Sequence, residues 1–173
     1  FGLDGDKGPE PFELTKKFVD MVPGIYPNFA LITSFGNSAP LNYQYQAEHR
    51  VVDLPFPFLD GNFGLNVRPK NYSYVEFYDH VVDLFDYAFS TKKMVSRFKA
   101  NWHPLPKWMN LLRARFSSRG TAGNFAEIRR LLATDREFQT FYAGETPKPP
   151  TYYKNKVQGM MGGFYEHLPK GVL

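Results

Sequence analysis

The segment from Ser73 to Phe89 constrains the fold most, because it combines a helix start with a long apolar stripe. Ser73 and Glu76 have the spacing of a capping box, in which each side chain satisfies a backbone N–H group at the beginning of a helix. Apolar residues follow at steps of three or four and therefore share one face: Val75, Tyr78, Val82, Phe85 and Phe89. We predict a helix that runs to about Phe98 and buries this stripe.

Other segments have weaker helical patterns, and three have the pattern of short strands. We predict helices over residues 10–22, 38–50, 107–116, 125–142 and 152–168. Phe12, Phe18, Val19 and Val22 form the inward face of the first of these. Short apolar runs predict strands at residues 1–3, 29–33 and 65–67. The order strand, helix, strand in the first third is that of a piece of an α/β barrel.

The composition is that of a folded chain, since 43% of the 173 residues are hydrophobic and 17% are aromatic. No apolar run approaches the roughly 18–20 residues that a membrane span needs, so we expect no transmembrane segment. The sequence has no cysteine, which excludes disulfides and metal sites made of thiolates. A cytoplasmic location is the expectation.

Charge is distributed very unevenly along the chain. Residues 1–91 hold six Lys or Arg against twelve Asp or Glu, and residues 92–130 hold ten against one. Residues 131–173 are nearly balanced, with five against four. The middle segment therefore has a net charge of +9, and it must face water, the acidic first part of its own chain, or an external anionic surface.

We predict that this basic segment makes an interaction surface. Its cations alternate with large aromatic residues, and the residues expected to make contact are Lys92, Lys93, Arg97, Lys99, Trp102, Lys107, Trp108, Arg113, Arg115 and Arg119. An anionic membrane and an acidic protein face are both suitable partners. Nucleic acid is disfavoured, because no known binding motif accompanies the charge.

Groups with chemical potential are few. Asp4 and Asp6 are candidate acid and base residues or cation ligands, but an Asp-Gly-Asp turn before a helix more often caps that helix. The four histidines are scattered without the spacing of metal ligands. The glycine-rich run at residues 159–163 lacks the lysine of a phosphate loop. We therefore predict no catalytic, cofactor-binding or metal-binding residue in this chain.

Several short motifs together resemble one family. The FGLDGD start is similar to a late barrel strand of radical SAM enzymes, and Ser38-Ala39-Pro40-Leu41 stands where that family commonly has Gly-Thr-Pro-Leu. Arg68-Pro69-Lys70-Asn71 resembles the family's helix entry. The tail, with Tyr165, Leu168-Pro169 and Gly171, resembles the ending of cobalamin-binding members, among them hopanoid methylases and the anaerobic cyclase of bacteriochlorophyll synthesis.

The resemblance implies an α+β, predominantly helical fold. Residues 1–70 would be a small remnant of the radical SAM barrel and residues 71–173 a C-terminal helical bundle, the two together forming one compact unit. Asp4, Gly5 and Asp6 would lie near the cofactor of a whole enzyme. The iron–sulfur cluster of that enzyme needs cysteine thiolates, which this sequence does not have.

The function expected from these observations is that of a non-catalytic structural or interaction subunit derived from a radical SAM protein. It would dock on a larger protein assembly, at the cytoplasmic face of a bacterial membrane, and the kinship with a bacteriochlorophyll enzyme suggests a photosynthetic complex. The alternative is the C-terminal part of a full cobalamin-dependent enzyme, which closes the barrel and covers the substrate. Only in that longer enzyme are an iron–sulfur cluster, S-adenosylmethionine and cobalamin expected.

Overall fold

The computed structural model describes residues 1–36 and 39–169. It is predominantly helical, and it divides into two units, each made of two stretches of the chain. Unit 1 consists of Phe1–Ala30 and Pro69–Arg130, and unit 2 of Leu31–Arg68 and Leu131–Leu173. Both units therefore combine residues from before and after Asn71, where the sequence suggested a division between barrel remnant and helical region.

Eight α-helices follow one another in the described residues. They are α1 (Glu10–Met21), α2 (Pro40–Ala47), α3 (Tyr74–Ala88), α4 (Thr91–Ala100), α5 (Pro104–Arg113), α6 (Arg119–Thr134), α7 (Arg136–Ala143) and α8 (Thr151–Met161). A π-helical segment, Ala114–Ser118, joins α5 to α6, and 3₁₀-helical segments occupy Phe56–Phe58 and Gly162–His167.

The helix predicted from the capping box is confirmed at its start and ends earlier than expected. Ser73 Oγ accepts from the Glu76 N–H group at 3.2 Å, and the Glu76 carboxylate accepts from the Ser73 N–H group at 3.4 Å. The helix stops at Ala88, because Ser90 caps a new helix by accepting from the Lys93 N–H group. The next apolar residue after Phe89 is Met94, five positions on, so the spacing of three and four is interrupted at this break.

The α/β remnant is not supported, since the described residues contain no β-strand. Residues 29–33 are extended but have no partner strand, and nearby backbone groups are satisfied in other ways. The Leu31 N–H group donates to the Gly61 carbonyl at 3.0 Å, and the Ser34 N–H group donates to the Asn66 side chain at 2.8 Å. A short apolar run needs a neighbouring strand to form a ladder, and the only pairing found here is an isolated bridge between Val51 and Val67.

Unit 1 has an aromatic core between α1, α3 and α6. Phe85 is buried, and its ring lies 5.3 Å from the rings of both Phe29 and Phe125 in edge-to-face geometry. Phe12 of α1 packs on Phe77 of α3 at 6.0 Å. Phe85 and Phe89 were predicted as core residues and are buried. Phe18 of α1 was predicted to face inward, but it is exposed, as are Leu14 and Met21 on the same helix.

Unit 2 has its own core around α7 and α8. Tyr153 stacks on Phe138 and lies 4.8 Å from Phe58, and its hydroxyl is 2.6 Å from that of Tyr142. Leu131, Leu132 and Phe138 are buried here. Of the motifs behind the family resemblance, Leu168-Pro169 lies within the described residues, whereas Ser38 and Gly171 lie outside them.

Candidate interaction surface

The turn between α4 and α5 fixes the position of α5. The Asn101 side chain donates to the carbonyls of Gly24 and Arg97, each at 2.9 Å, and so ties the turn to the end of α1. Trp108 of α5 packs edge-to-face on Phe98 of α4, with ring centroids 5.1 Å apart. The position of α5 is therefore set by contacts on its inner side.

The sequence explains why α5 begins at Pro104. Pro104 occupies the first turn of α5, where a missing N–H group costs nothing. The backbone then continues without a break through the π-helical segment into α6. π-Helical segments of this kind are frequent at functional sites.

The apolar stripe of α5 faces solvent. No residue of α5 is buried; Leu105, Trp108, Met109 and Leu112 are between 49% and 66% exposed, and Leu111 is half-buried. Trp102, just before the helix, is 90% exposed, and Phe116, in the π-helical segment, is 69% exposed. We call the following set the α5 face: Trp102, Leu105, Trp108, Met109, Leu112 and Phe116. The helix is amphipathic with its apolar side outward, which is the reverse of an ordinary surface helix.

Cations accompany the α5 face, and acids do not. Residues 92–126 contain no Asp or Glu. Lys99 precedes Trp102 by three residues, the Arg115 guanidinium lies 5.8 Å from the centre of the Phe116 ring, and Arg119 follows Phe116 by three residues. These three cations are exposed, and within residues 1–36 and 39–169 none of them has a carboxylate at salt-bridge distance.

Arg97 is placed differently from the expectation, because it is only 3% exposed. Its Nε donates to the Ile25 carbonyl at 3.0 Å and its Nη2 to the Ala88 carbonyl at 3.2 Å. Burial lowers the pKa of this guanidinium below its usual range. Arg97 thus joins α4 to the rest of unit 1, and it does not reach a partner from this position.

Lys93, another predicted contact residue, is paired within the chain. It forms a salt bridge with Asp20, and its ammonium lies 4.6 Å from the centre of the Tyr87 ring. Farther along, Arg129 donates two hydrogen bonds to Asp79, at 2.7 and 3.2 Å. Acidic residues in the first part of the chain therefore neutralise part of the basic segment. This was one of the three surroundings that the charge count left open.

The remaining predicted contact residues lie at the surface or against aromatic rings. Lys92 is exposed, and Lys107 lies 4.5 Å from the centre of the Phe98 ring. The Arg113 guanidinium lies 4.4 Å from the centre of the Tyr26 ring while its residue stays exposed. Lys107 and Arg113 therefore support the packing of α5 and also contribute positive charge.

Sequence reasoning found the aromatic part of this surface and missed the aliphatic part. It noted Trp102, Trp108 and Phe116 among the cations but not Leu105, Met109 or Leu112, which complete the stripe. The signal was present, since residues 105, 108, 109, 112 and 116 have helical spacing. The spacing could not show the direction of the stripe, because an apolar helix face normally turns inward.

The Asp-Gly-Asp turn has a structural role. The Asp6 carboxylate accepts from the N–H groups of Gly2 and Leu3, at 2.9 and 3.2 Å, and the Asn71 side chain donates to the carbonyls of Asp4 and Asp6. His80 stacks on Phe12, with ring centroids 5.0 Å apart. Among the residues that the structure describes, no group of three or more His, Cys, Asp or Glu side chains could hold a metal ion.

No family model, curated protein or solved structure matches this chain. Across the helices that the structure describes, none has the length and apolar character to span a bilayer.

Proposed function

We propose that this chain is a non-catalytic structural and interaction subunit that docks on a larger assembly through the α5 face. The observation that carries the proposal is the outward apolar stripe of α5 within a segment that has no acidic residue. Exposing several large side chains on one helix costs solvation free energy, and exposed patches of this kind on folded proteins commonly mark interaction sites. The hydrogen bonds of Asn101 and the contact of Trp108 with Phe98 fix the helix, so the surface is formed before a partner binds.

Descent from a radical SAM protein is part of this proposal and is supported only by the short sequence motifs. The FGLDGD turn and the helix entry before Ser73 support it, and the absence of cysteine in this sequence separates the chain from the catalysis of that family. A home in a bacterial membrane-associated assembly, such as a photosynthetic complex, follows from the same kinship.

The test uses the natural full-length protein, tagged in the cells that make it. Their lysate is separated by sedimentation at low and at high salt. We expect the protein to sediment with large material at low salt and to be released at high salt, because exposed charges are screened over about 8–10 Å at physiological ionic strength.

The triple variant K99E/R115E/R119E should sediment as free protein at low salt. The matched control is R136E/K148E/K154E, which changes the net charge equally at exposed positions of unit 2 and should behave as the wild type. A wild-type protein that sediments alone under every condition, or a control that is lost together with the triple variant, contradicts the proposal.

A further inference from the structure

We infer that the partner of the α5 face is an anionic lipid bilayer, with α5 lying in the plane of the membrane interface. This inference rests on the proposed docking function and names the surface that is docked upon. Its occupant is a membrane rich in acidic phospholipid headgroups, and an acidic protein face is the competing outcome of the test.

The segregation of side chains on α5 fits a lipid interface. Leu105, Met109 and Leu112 form an outward apolar stripe that can enter the boundary between headgroups and acyl chains. Trp102 and Trp108 add indole rings, which prefer that same boundary. The helix that continues from α5 into α6 is not apolar enough to span a bilayer, so α5 would lie in the interface.

Charge complementarity selects an anionic bilayer. Lys99, Arg115 and Arg119 are exposed near the two ends of the α5 face, where phosphate groups would surround an inserted stripe. Each basic residue near an anionic membrane strengthens binding by about fivefold. The absence of acids over residues 92–126 removes the repulsion that such a surface would otherwise meet.

A second exposed stripe provides an internal comparison. Leu14, Phe18 and Met21 of α1 are as exposed as the α5 face, but α1 carries three acids against two lysines, a net charge of −1. Glu13 pairs with Lys16 and Asp20 with Lys93, so this helix offers an anionic membrane no net positive charge. Exposed apolar area alone would therefore favour both helices equally, whereas the combination of apolar area with positive charge favours only α5.

The tryptophans make the test specific, because Trp102 and Trp108 are the only two in the sequence and both belong to the α5 face. Purified protein is mixed with vesicles of phosphatidylcholine, with or without phosphatidylglycerol. We expect a blue shift of the tryptophan emission, quenching by brominated acyl chains, and co-sedimentation with the phosphatidylglycerol vesicles only. The variant Trp102→Phe reports on Trp108 alone and should still show the shift.

Two sets of variants separate charge from apolar insertion. K99E/R115E/R119E should bind phosphatidylglycerol vesicles at least about a hundredfold more weakly, whereas R136E/K148E/K154E should bind as the wild type. L112S/F116S should lose both the blue shift and the quenching. The matched control F18S/M21S, which removes equally exposed side chains from α1, should retain them.

Each contrary result has a distinct meaning. Equal binding to neutral vesicles, or unchanged quenching of L112S/F116S, overturns the inference. No vesicle binding, with salt-sensitive sedimentation in the lysate retained, also overturns it and assigns the α5 face to an acidic protein, which leaves the proposed function standing. Loss of both behaviours overturns the proposed function as well.

Discussion

The guanidinium of Arg68 lies over the α-carbon of Gly144, at a place where any side chain on residue 144 would collide with it. A β-carbon built on Gly144 would be 1.7 Å from Arg68 Nη2. Gly144 ends α7 with a φ of 78°, and the Arg68 Nε donates to the Tyr142 carbonyl at 3.2 Å. Arg68 and the end of α7 are thus packed directly against each other within unit 2.

We expect Gly144→Ala to destabilise the protein, because alanine must adopt a left-handed backbone and must also displace Arg68. The left-handed conformation alone costs about 1–3 kcal/mol. The measurement is urea unfolding followed by circular dichroism. The matched control is Gly123→Ala in α6, where an added β-carbon meets nothing within 4 Å; it should stabilise the helix by about 0.5–1 kcal/mol. Equal stability of G144A and the wild type would contradict this account of Arg68.

The second prediction concerns the core of unit 1. Phe85 is 4% exposed and has aromatic neighbours on three sides, so Phe85→Ala should lower the free energy of unfolding by about 3–5 kcal/mol. The control Phe18→Ala removes the same ring from an exposed position and should change stability by less than about 0.5 kcal/mol. A loss below 1 kcal/mol for Phe85→Ala would show that the stripe of α3 is not core.

The third prediction concerns the salt bridge between Asp20 and Lys93. The hydrogen bond from Lys93, and then that from Tyr87, hold the pKa of the Asp20 carboxyl below its usual value. Because the pKa is lower in the folded chain, Asp20 contributes stability above the unfolded pKa, and that contribution is lost as pH falls through the folded pKa.

Carboxyl titration by nuclear magnetic resonance measures this effect directly. Lys93→Met and Tyr87→Phe should each raise the pKa of Asp20 toward its usual value, and the lysine change should have the larger effect. Lys154→Met, in unit 2, is the control and should leave the titration of Asp20 unchanged. An Asp20 that titrates normally in the wild type would rule out a persistent bridge in solution.

The fourth prediction concerns chemistry. Reconstitution of the chain with iron, sulfide and S-adenosylmethionine should give neither the absorbance of an iron–sulfur cluster nor 5′-deoxyadenosine, because the sequence has no thiolate to hold the iron. A cluster-containing radical SAM enzyme treated in parallel is the positive control. Either signal from this chain would remove the claim that it is non-catalytic.

Local signals in the sequence were sufficient to predict several elements. The Ser73 capping box acts over three residues, and the sequence alone identifies it. The prediction of a strand at residues 29–33 was wrong, because a strand depends on a distant partner strand. Here the Gly61 carbonyl and the Asn66 side chain accept hydrogen bonds from nearby backbone N–H groups instead.

The sequence shows the charge of the candidate surface but not the burial or direction of its side chains. The charge count located the basic segment correctly, since a count needs no coordinates. The burial of Arg97 depends on the carbonyls of Ile25 and Ala88. Ile25 is 72 residues away in sequence, so no local sequence pattern predicts this contact. The outward orientation of the apolar stripe of α5 likewise depends on contacts made by Phe98 and Asn101.

The outward stripe of α5 also affects how much of this protein a cell can maintain. Leu105, Leu112 and Phe116 lie in water when no partner covers them, so we expect chaperones and proteases to treat the undocked protein as incompletely folded and to remove it. Occupation of the stripe hides that signal. We expect the steady-state abundance of the protein to follow the number of docking places available, so that surplus copies are degraded and the stoichiometry of the assembly is set by turnover.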